Sequence, residues 1–157
     1  MPKLYVLVGV PGSGKSTWVN NQDWAKDCEY ISTDKLVEEY AKTVDKSYRE
    51  IFDEYMPTAV KLMTAEVVAA REAGKDIIWD QTSTTISSRR KKLVMLPEYH
   101  SIAVVFKTPN RLELDQRLKK RAQLTGKVIP KSVVTMIIEC WEEPTEDEGF
   151  KEIWYAI

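Results

Sequence analysis

The sequence predicts an α/β fold: a central parallel sheet of four to five strands with helices on both faces. Three observations predict it. Strand-like apolar runs alternate with helical segments along the 157 residues, the order that builds parallel crossover units. The first run leads directly into Gly9-Val10-Pro11-Gly12-Ser13-Gly14-Lys15-Ser16, which fits the strand-to-helix pattern G-x-x-x-x-G-K-[ST]. Gly74, Pro109 and Pro130 stand where helices are expected to end or begin.

Leu4-Tyr5-Val6-Leu7-Val8 is continuously apolar, as a strand buried on both faces requires, and gives a first strand over 3–8. A helix is expected over 15–22 and a second strand over 28–32. Helices follow over 34–43 and 47–73, the latter expected to break near Pro57 because proline removes a backbone donor. Gly74 suits the cap of that helix. Strands are expected over 76–80, 101–106 and 152–156. Further helices are expected over 85–96, 109–123 and 130–142, with Thr108 capping Pro109 and Pro130 opening the last. In such sheets ligands bind beyond the carboxyl ends of the strands.

The P-loop pattern has a physical reading at each position. Its glycines let backbone N–H groups from Gly9, Val10, Pro11, Gly12, Ser13, Gly14, Lys15, Ser16 and Thr17 surround phosphate, proline itself offering no donor. Lys15 is expected to reach the β- and γ-phosphates, and the Ser16 hydroxyl to ligate Mg²⁺. ATP and Mg²⁺ are therefore the expected ligands.

Length and composition fit one globular domain with a real core: 43% of residues are hydrophobic and 30% charged. Cys28 and Cys140 lack metal-ligand spacing, and His100 is the single histidine. A histidine triad or multi-histidine metal site is not expected. With no apolar run of membrane-spanning length and no visible leader, a cytoplasmic protein with reduced thiols is expected. Residues 1–138 carry 22 basic and 17 acidic side chains, whereas the segment from Glu139 onward carries seven acids and one base. The body suits an anionic substrate, and the acidic end is expected to be a solvated surface.

Beyond the loop, four groups carry chemistry. Asp34 follows the second strand, where a carboxylate either accepts or orients the proton of an attacking hydroxyl or caps a helix. Asp80 closes the apolar run Asp76-Ile77-Ile78-Trp79-Asp80 and is expected to hold a magnesium-bound water. Gln81 and Thr82 next to it are expected to contact the acceptor along with Asp34 and Asp80, and Thr84 or Thr85 to cap the following helix. Arg117 and Arg121, four residues apart, share a helix face before a Gly126-containing connection. They read either as lid arginines that close on the transferring phosphoryl group or as an exposed basic helix end. In the run Arg89-Arg90-Lys91-Lys92, Arg90 shares a face with Ile86, Leu93 and Val94, and is the one expected to point back to the sheet. The tryptophans are expected in the core, with Trp79 beside Asp80 as a candidate border of the acceptor site.

Taken together, Gly9 to Trp18, Asp34, Asp80-x-Thr82 before Arg89-Arg90, Arg117-x-x-x-Arg121, Gly126-Lys127-x-x-Pro130 and Glu148-Gly149-Phe150-x-x-Ile153 resemble the kinase domain of phage polynucleotide kinase and related nucleic-acid kinases. The resemblance covers nearly the whole chain. It implies a single P-loop kinase domain over 1–157 with a lid, located in the host cytoplasm if phage-encoded. It also implies γ-phosphoryl transfer from ATP to a hydroxyl, commonly the 5′-hydroxyl of DNA or RNA. By the same resemblance Lys15, Asp34, Arg117 and Arg121 are catalytic, Asp34 as general base, and Ser16 and Asp80 hold the metal. Val37 stands where those kinases carry an arginine, with Lys35 a possible substitute. An extra residue separates Asp80 from Thr82, and the stretch from Arg121 to Pro130 is longer than in the family. These departures fall on the acceptor side, so a hydroxymethylated base in DNA or a small metabolite stays open as acceptor. An ATP-dependent switch or binding module without transfer is the reading from a different class.

Overall fold

The computed structural model describes residues 1–156. Its elements run β1 (Lys3–Val8), α1 (Lys15–Asn20), β2 (Glu29–Ile31), α2 (Thr33–Thr43), α3 (Tyr48–Glu72), β3 (Ile77–Asp80), α4 (Ile86–Met95), β4 (His100–Phe106), α5 (Arg111–Thr125), α6 (Lys131–Glu139) and β5 (Glu152–Ala156). All five strands pair in parallel in the order β2-β3-β1-β4-β5. This is the α/β sheet the sequence predicts, each strand within one residue of its expected bounds.

β1 is central, and its side chains alternate between two cores. Leu4, Val6 and Val8 join Met63 and Val67 of α3 on one face, while Tyr5 and Leu7 join Val19 of α1 and Phe106 on the other. That two-sided burial is why β1 reads as an unbroken apolar run. Among the described residues no helix is long and apolar enough to cross a membrane.

Several helix expectations shift. α3 runs through Pro57 as one 25-residue helix. Pro57 is exposed, so water can satisfy the carbonyl it frees, and buried Ile51, Ala59, Met63 and Val67 hold both halves in place. Ser47 and Glu50 form a capping box at its start. At its end the amide of Gly74 donates to the Arg71 carbonyl and that of Lys75 to Ala70, with Gly74 at φ 67°, a Schellman closure. α5 is capped by Asn110, whose side chain accepts from the Glu113 amide, not by Thr108. Pro130 is the N-cap of α6 rather than its first residue. Thr85 caps α4.

The larger correction concerns α4. Arg90 is exposed. Arg89 is the buried arginine, 0% exposed, donating to both carboxylate oxygens of Glu148 at 2.8 and 3.0 Å and to the Ser83 carbonyl at 3.0 Å. The acidic end is thus not simply a solvated surface. Glu148 is sequestered with Arg89, Glu142 accepts from the Ile86 amide at the start of α4, and Glu152 pairs with His100.

Removing one partner of a buried pair strands the other charge. Arg89→Met is expected to lower unfolding free energy by about 3–5 kcal/mol in equilibrium urea denaturation. The double variant Arg89→Met/Glu148→Met should recover most of that loss. Equal losses in the single and double variants would show that the pair is not what holds this corner.

Candidate functional site

The 9–16 loop leaves β1 at the carboxyl edge of the sheet, between strands β3 and β4. The Gly9 amide donates to the Thr82 carbonyl at 3.0 Å, tying the loop to the end of β3. A Cβ on Gly9 would lie 2.5 Å from Ser13 Oγ and 3.0 Å from Phe106 Cβ, so glycine alone fits. Gly14, the N-cap of α1, sits at φ 99°. Val10 is fully buried against Leu114 and Val134, and Pro11 is buried beside it, so these residues position the loop. Ser16 and Thr17 are exposed at the start of α1. Ser13 Oγ is buried without a hydrogen-bond partner among the described residues, an open polar atom inside the cradle.

Lys15 Nζ donates to the Gly9 carbonyl at 2.8 Å. Burial lowers its pKa to about 8; Asp80 and Asp34 oppose that shift, and Arg121 and Lys127 add to it. The cradle therefore holds a cation without full compensation.

Asp80 ends β3 with 9% of its surface exposed. The Tyr30 hydroxyl, from neighbouring β2, donates to Asp80 Oδ2. Burial and then Asp80 hold that phenol above its usual range, while a hydrogen bond with Ser16 acts the other way. Tyr30 thus holds Asp80, one of the two residues expected to hold the metal.

Asp34 lies in the first turn of α2, but it does not cap the helix: Ser32 does, accepting from the Lys35 amide. The Tyr48 hydroxyl donates to Asp34 Oδ1 at 2.7 Å, and Lys127 Nζ lies 3.4 Å from Oδ2. Burial would raise the carboxyl, but Lys127, Tyr48 and Arg121 outweigh it and hold Asp34 below its ordinary value. Lys127 also bonds Glu38 at 2.6 Å.

Arg117 and Arg121, both on α5, differ. Arg117 donates to the Gly12 carbonyl at 3.1 Å and to Glu113 at 2.8 Å, pinning α5 onto the loop. Arg121 has no ion-pair partner among the described residues, and its field reaches Lys15, Asp34 and Tyr48. Gln81 accepts from Trp79 Nε1 and donates to Thr33 Oγ1, bridging β3 to α2. Thr82 offers its carbonyl to Gly9. Trp79 is 2% exposed and packs in the core, with Lys92 Nζ 5.3 Å from its ring, so it does not border the site. Trp154, expected in the core, is 36% exposed and lines the cleft with Tyr155.

One cleft of about 2170 Å³ joins these groups. It runs from Trp18, Phe106 and Tyr155 on the β4–β5 side, across the loop, to Lys35, Arg49 and Phe52 on the α2–α3 side. That exceeds the roughly 300–1,000 Å³ of a single small-ligand pocket, leaving room for two reactants side by side. Tyr30, Glu38, Tyr48 and Lys127 were not picked out from sequence as site groups. Glu38 carries a local signal, lying four residues after Asp34 and so on the same helix face, and Lys127 stands in the Gly126-Lys127-x-x-Pro130 motif.

A family profile described as an AAA domain matches residues 4–144, and the chain belongs to that family. Heterogeneous nuclear ribonucleoprotein U-like protein 2 of Mus musculus is 24% identical over 98% of this chain. The chain spans about a fifth (21%) of that relative's length. Among solved structures, a candidate kinase from Chloroflexus aurantiacus superposes with TM-score 0.72 at 16% identity, over 99% of this chain and 84% of that one. A chain of the Pnkp1/Rnl/Hen1 RNA repair complex superposes with TM-score 0.65 at 29% identity, over 88% of this chain and 43% of that one. The fold is that of a kinase-like P-loop NTPase.

The depressed Lys15 value has a measurable sign. In the unfolded chain Lys15 binds its proton up to its ordinary value near 10.5, but in the fold only up to about 8. Wild-type stability gains from this group as pH rises from 8 to 10.5. Lys15→Met, lacking the group, should be the more stable nucleotide-free protein at pH 7, with its advantage shrinking above pH 8 and gone near 10.5. Urea unfolding of both proteins across that range measures the difference. A pH-independent difference would contradict the burial of a strained cation.

Proposed function

We propose that this member of the AAA domain family is an ATP- and Mg²⁺-dependent kinase that transfers the γ-phosphoryl group to the 5′-hydroxyl of a polynucleotide. The observation that carries the reading is the placement of Asp34 across one cleft from the P-loop, with Arg121, unpaired among the described residues, lining the same cleft. A nucleotide switch has no need of a carboxylate held ready at an acceptor position.

The cradle suits a polyphosphate: Ser13 Oγ has no partner, and a buried lysine lacks full compensation. Ser16 and Asp80, which line the same cleft, offer the hard oxygen donors that magnesium takes. When bound there, magnesium would supply positive charge to the β- and γ-phosphate oxygens.

The residues then divide the work. Loop amides and Lys15 hold the β- and γ-phosphates. Asp34 orients the acceptor hydroxyl and takes its proton as the acceptor oxygen bonds to the γ-phosphorus. The bond from that phosphorus to the β,γ-bridging oxygen breaks, and ADP leaves with its electron pair. Arg121 neutralises charge developing on the transferring group, and Arg117 keeps α5 seated on the loop. A polynucleotide acceptor is supported by the 29% identity to a chain of an RNA repair complex and by the basic residues Lys35 and Arg49 at the α2–α3 end of the cleft.

A specific observation favours a second acceptor class. Val37 is fully buried in the α2–α3 core, so α2 offers no arginine there, and a hydroxymethylated base or a small metabolite is the alternative.

Incubation with ATP, Mg²⁺ and a 5′-hydroxyl oligonucleotide, followed by mass spectrometry, separates these readings. One added phosphate at the 5′ end is expected, for DNA or RNA. Phosphate on a modified base or metabolite alone would select the second class, and ATP hydrolysis without any phosphorylated acceptor would indicate a switch. Asp34→Asn is expected to lower transfer by about 10²-fold or more with ATP affinity unchanged; full activity would remove Asp34 as base.

A further inference from the structure

The turn after α5 does more than connect two helices. α5 ends at Gly126, with φ 72°, where a Cβ would meet Ser47 Cβ at 3.2 Å. The lid therefore turns directly against the N-cap of α3. The next side chain, Lys127, is 4% exposed. Its Nζ lies 2.6 Å from Glu38 Oε1, 3.4 Å from Asp34 Oδ2 and 5.1 Å from the centre of the Tyr48 ring.

We propose that Lys127 is a positioning residue for Asp34: lid docking sets its ammonium between Glu38 and Asp34 and holds the Asp34 carboxylate toward the acceptor. This rests on the reading of Asp34 as the group that takes the acceptor's proton. The unequal distances carry the argument. Glu38 makes the short bond and anchors the ammonium, so Lys127 has a partner whatever Asp34 does. Asp34 Oδ2 receives only a long contact, and a carboxylate oxygen can accept more than one hydrogen bond, so Oδ2 can still take one from an incoming hydroxyl. Tyr48 fixes the other oxygen at 2.7 Å. Asp34 and Glu38 share one face of α2, where like charges repel, and a cation between them removes that cost. The carboxylate is thus held from two elements, α3 and the lid, and undocking the lid would release one of its two holds.

The groups facing Asp34 are Lys127 from the lid, Tyr48 from α3, Glu38 from α2, Arg121 from α5, Lys15 from the loop and Tyr30 from β2. The test follows the Asp34 carboxyl by ¹³C NMR, its signal assigned with Asp34→Asn. Loss of a close cation should move the Asp34 titration upward by about one pH unit or more in Lys127→Met, and Lys127→Arg should restore it. Lys127→Gln, which keeps length and polarity, gives the same readout if the methionine variant fails to fold. With the 5′-hydroxyl oligonucleotide as acceptor, the acidic limb of kcat/KM should move upward with the NMR titration and kcat should fall about tenfold, equivalent to about 1.4 kcal/mol, with KM for ATP unchanged. An Asp34 titration unmoved in a folded variant overturns the proposal, as does an acidic limb that stays in place. The NMR arm needs no turnover, so absence of kinase activity would sink the proposed function without deciding this one.

Discussion

The parallel register of β1 against β3 is the constraint from which the cleft follows. Leu7 stands opposite Asp80, and the Gly9 amide continues the ladder past both strands to the Thr82 carbonyl. That added bond fixes where the loop leaves the sheet, and so where Lys15 and Ser16 stand relative to Asp80. A slip of one residue would exchange the faces, turning Asp80 away and Trp79 into its place. Two-sided burial of both strands makes such a slip costly. Arg89 secures the far side of the same segment through the Ser83 carbonyl, where Ser83 itself is at φ 48°. The fully buried arginine is thus best understood as a clamp on the loop that carries Asp80 into the site.

Charge in the cleft is arranged to be incomplete on one side and complete on the other. Around the loop, burial depresses Lys15, Ser13 Oγ lacks a partner and Arg121 is unpaired among the described residues. An anion entering there recovers what those groups lose in the empty protein. Around Asp34 the opposite holds. Tyr48, Lys127 and Glu38 already form a closed set of contacts, so a neutral hydroxyl gains by joining them and a second anion does not. The asymmetry agrees with a donor that carries phosphates and an acceptor that offers a hydroxyl.

Much of this was legible in the sequence, for local reasons. The three central strands announced themselves because each is buried along most of its length, and the loop because its glycines meet needs no other residue meets. Gly74 was legible because its closure is set by six neighbouring residues. What was hidden depends on residues far apart. The apolar neighbours of Arg90 favour it over Arg89, but the partner that lets an arginine enter the core, Glu148, lies 59 residues away. Tyr30 reaches Asp80 because β2 pairs with β3 and not with β1, and sheet order is not written in any one segment. Pro57 does not break α3 because its position faces water, which the local sequence does not reveal.

The buried Val37 connects the acceptor question to the packing of the hairpin. Val37 shares a cluster with Ala41, Tyr48, Ile51 and Ala59, which joins α2 to α3. Tyr48 is therefore a packing residue at its ring and an Asp34 donor at its hydroxyl. An arginine at 37 would need either a buried partner or a displaced α3, and displacing α3 would remove Tyr48 from Asp34. The apolar residue at 37 and the hydrogen bond on the carboxylate are two consequences of one packing choice. With that face of α2 committed to the core, and Lys127 held by Glu38 and Asp34, further cations at this end of the cleft are Lys35, 5.9 Å from the centre of the Tyr30 ring, and Arg49 in the first turn of α3. For the proposed acceptor, recognition would thus pass from the buried face of α2 to the start of α3, the segment that Gly126 packs against at Ser47.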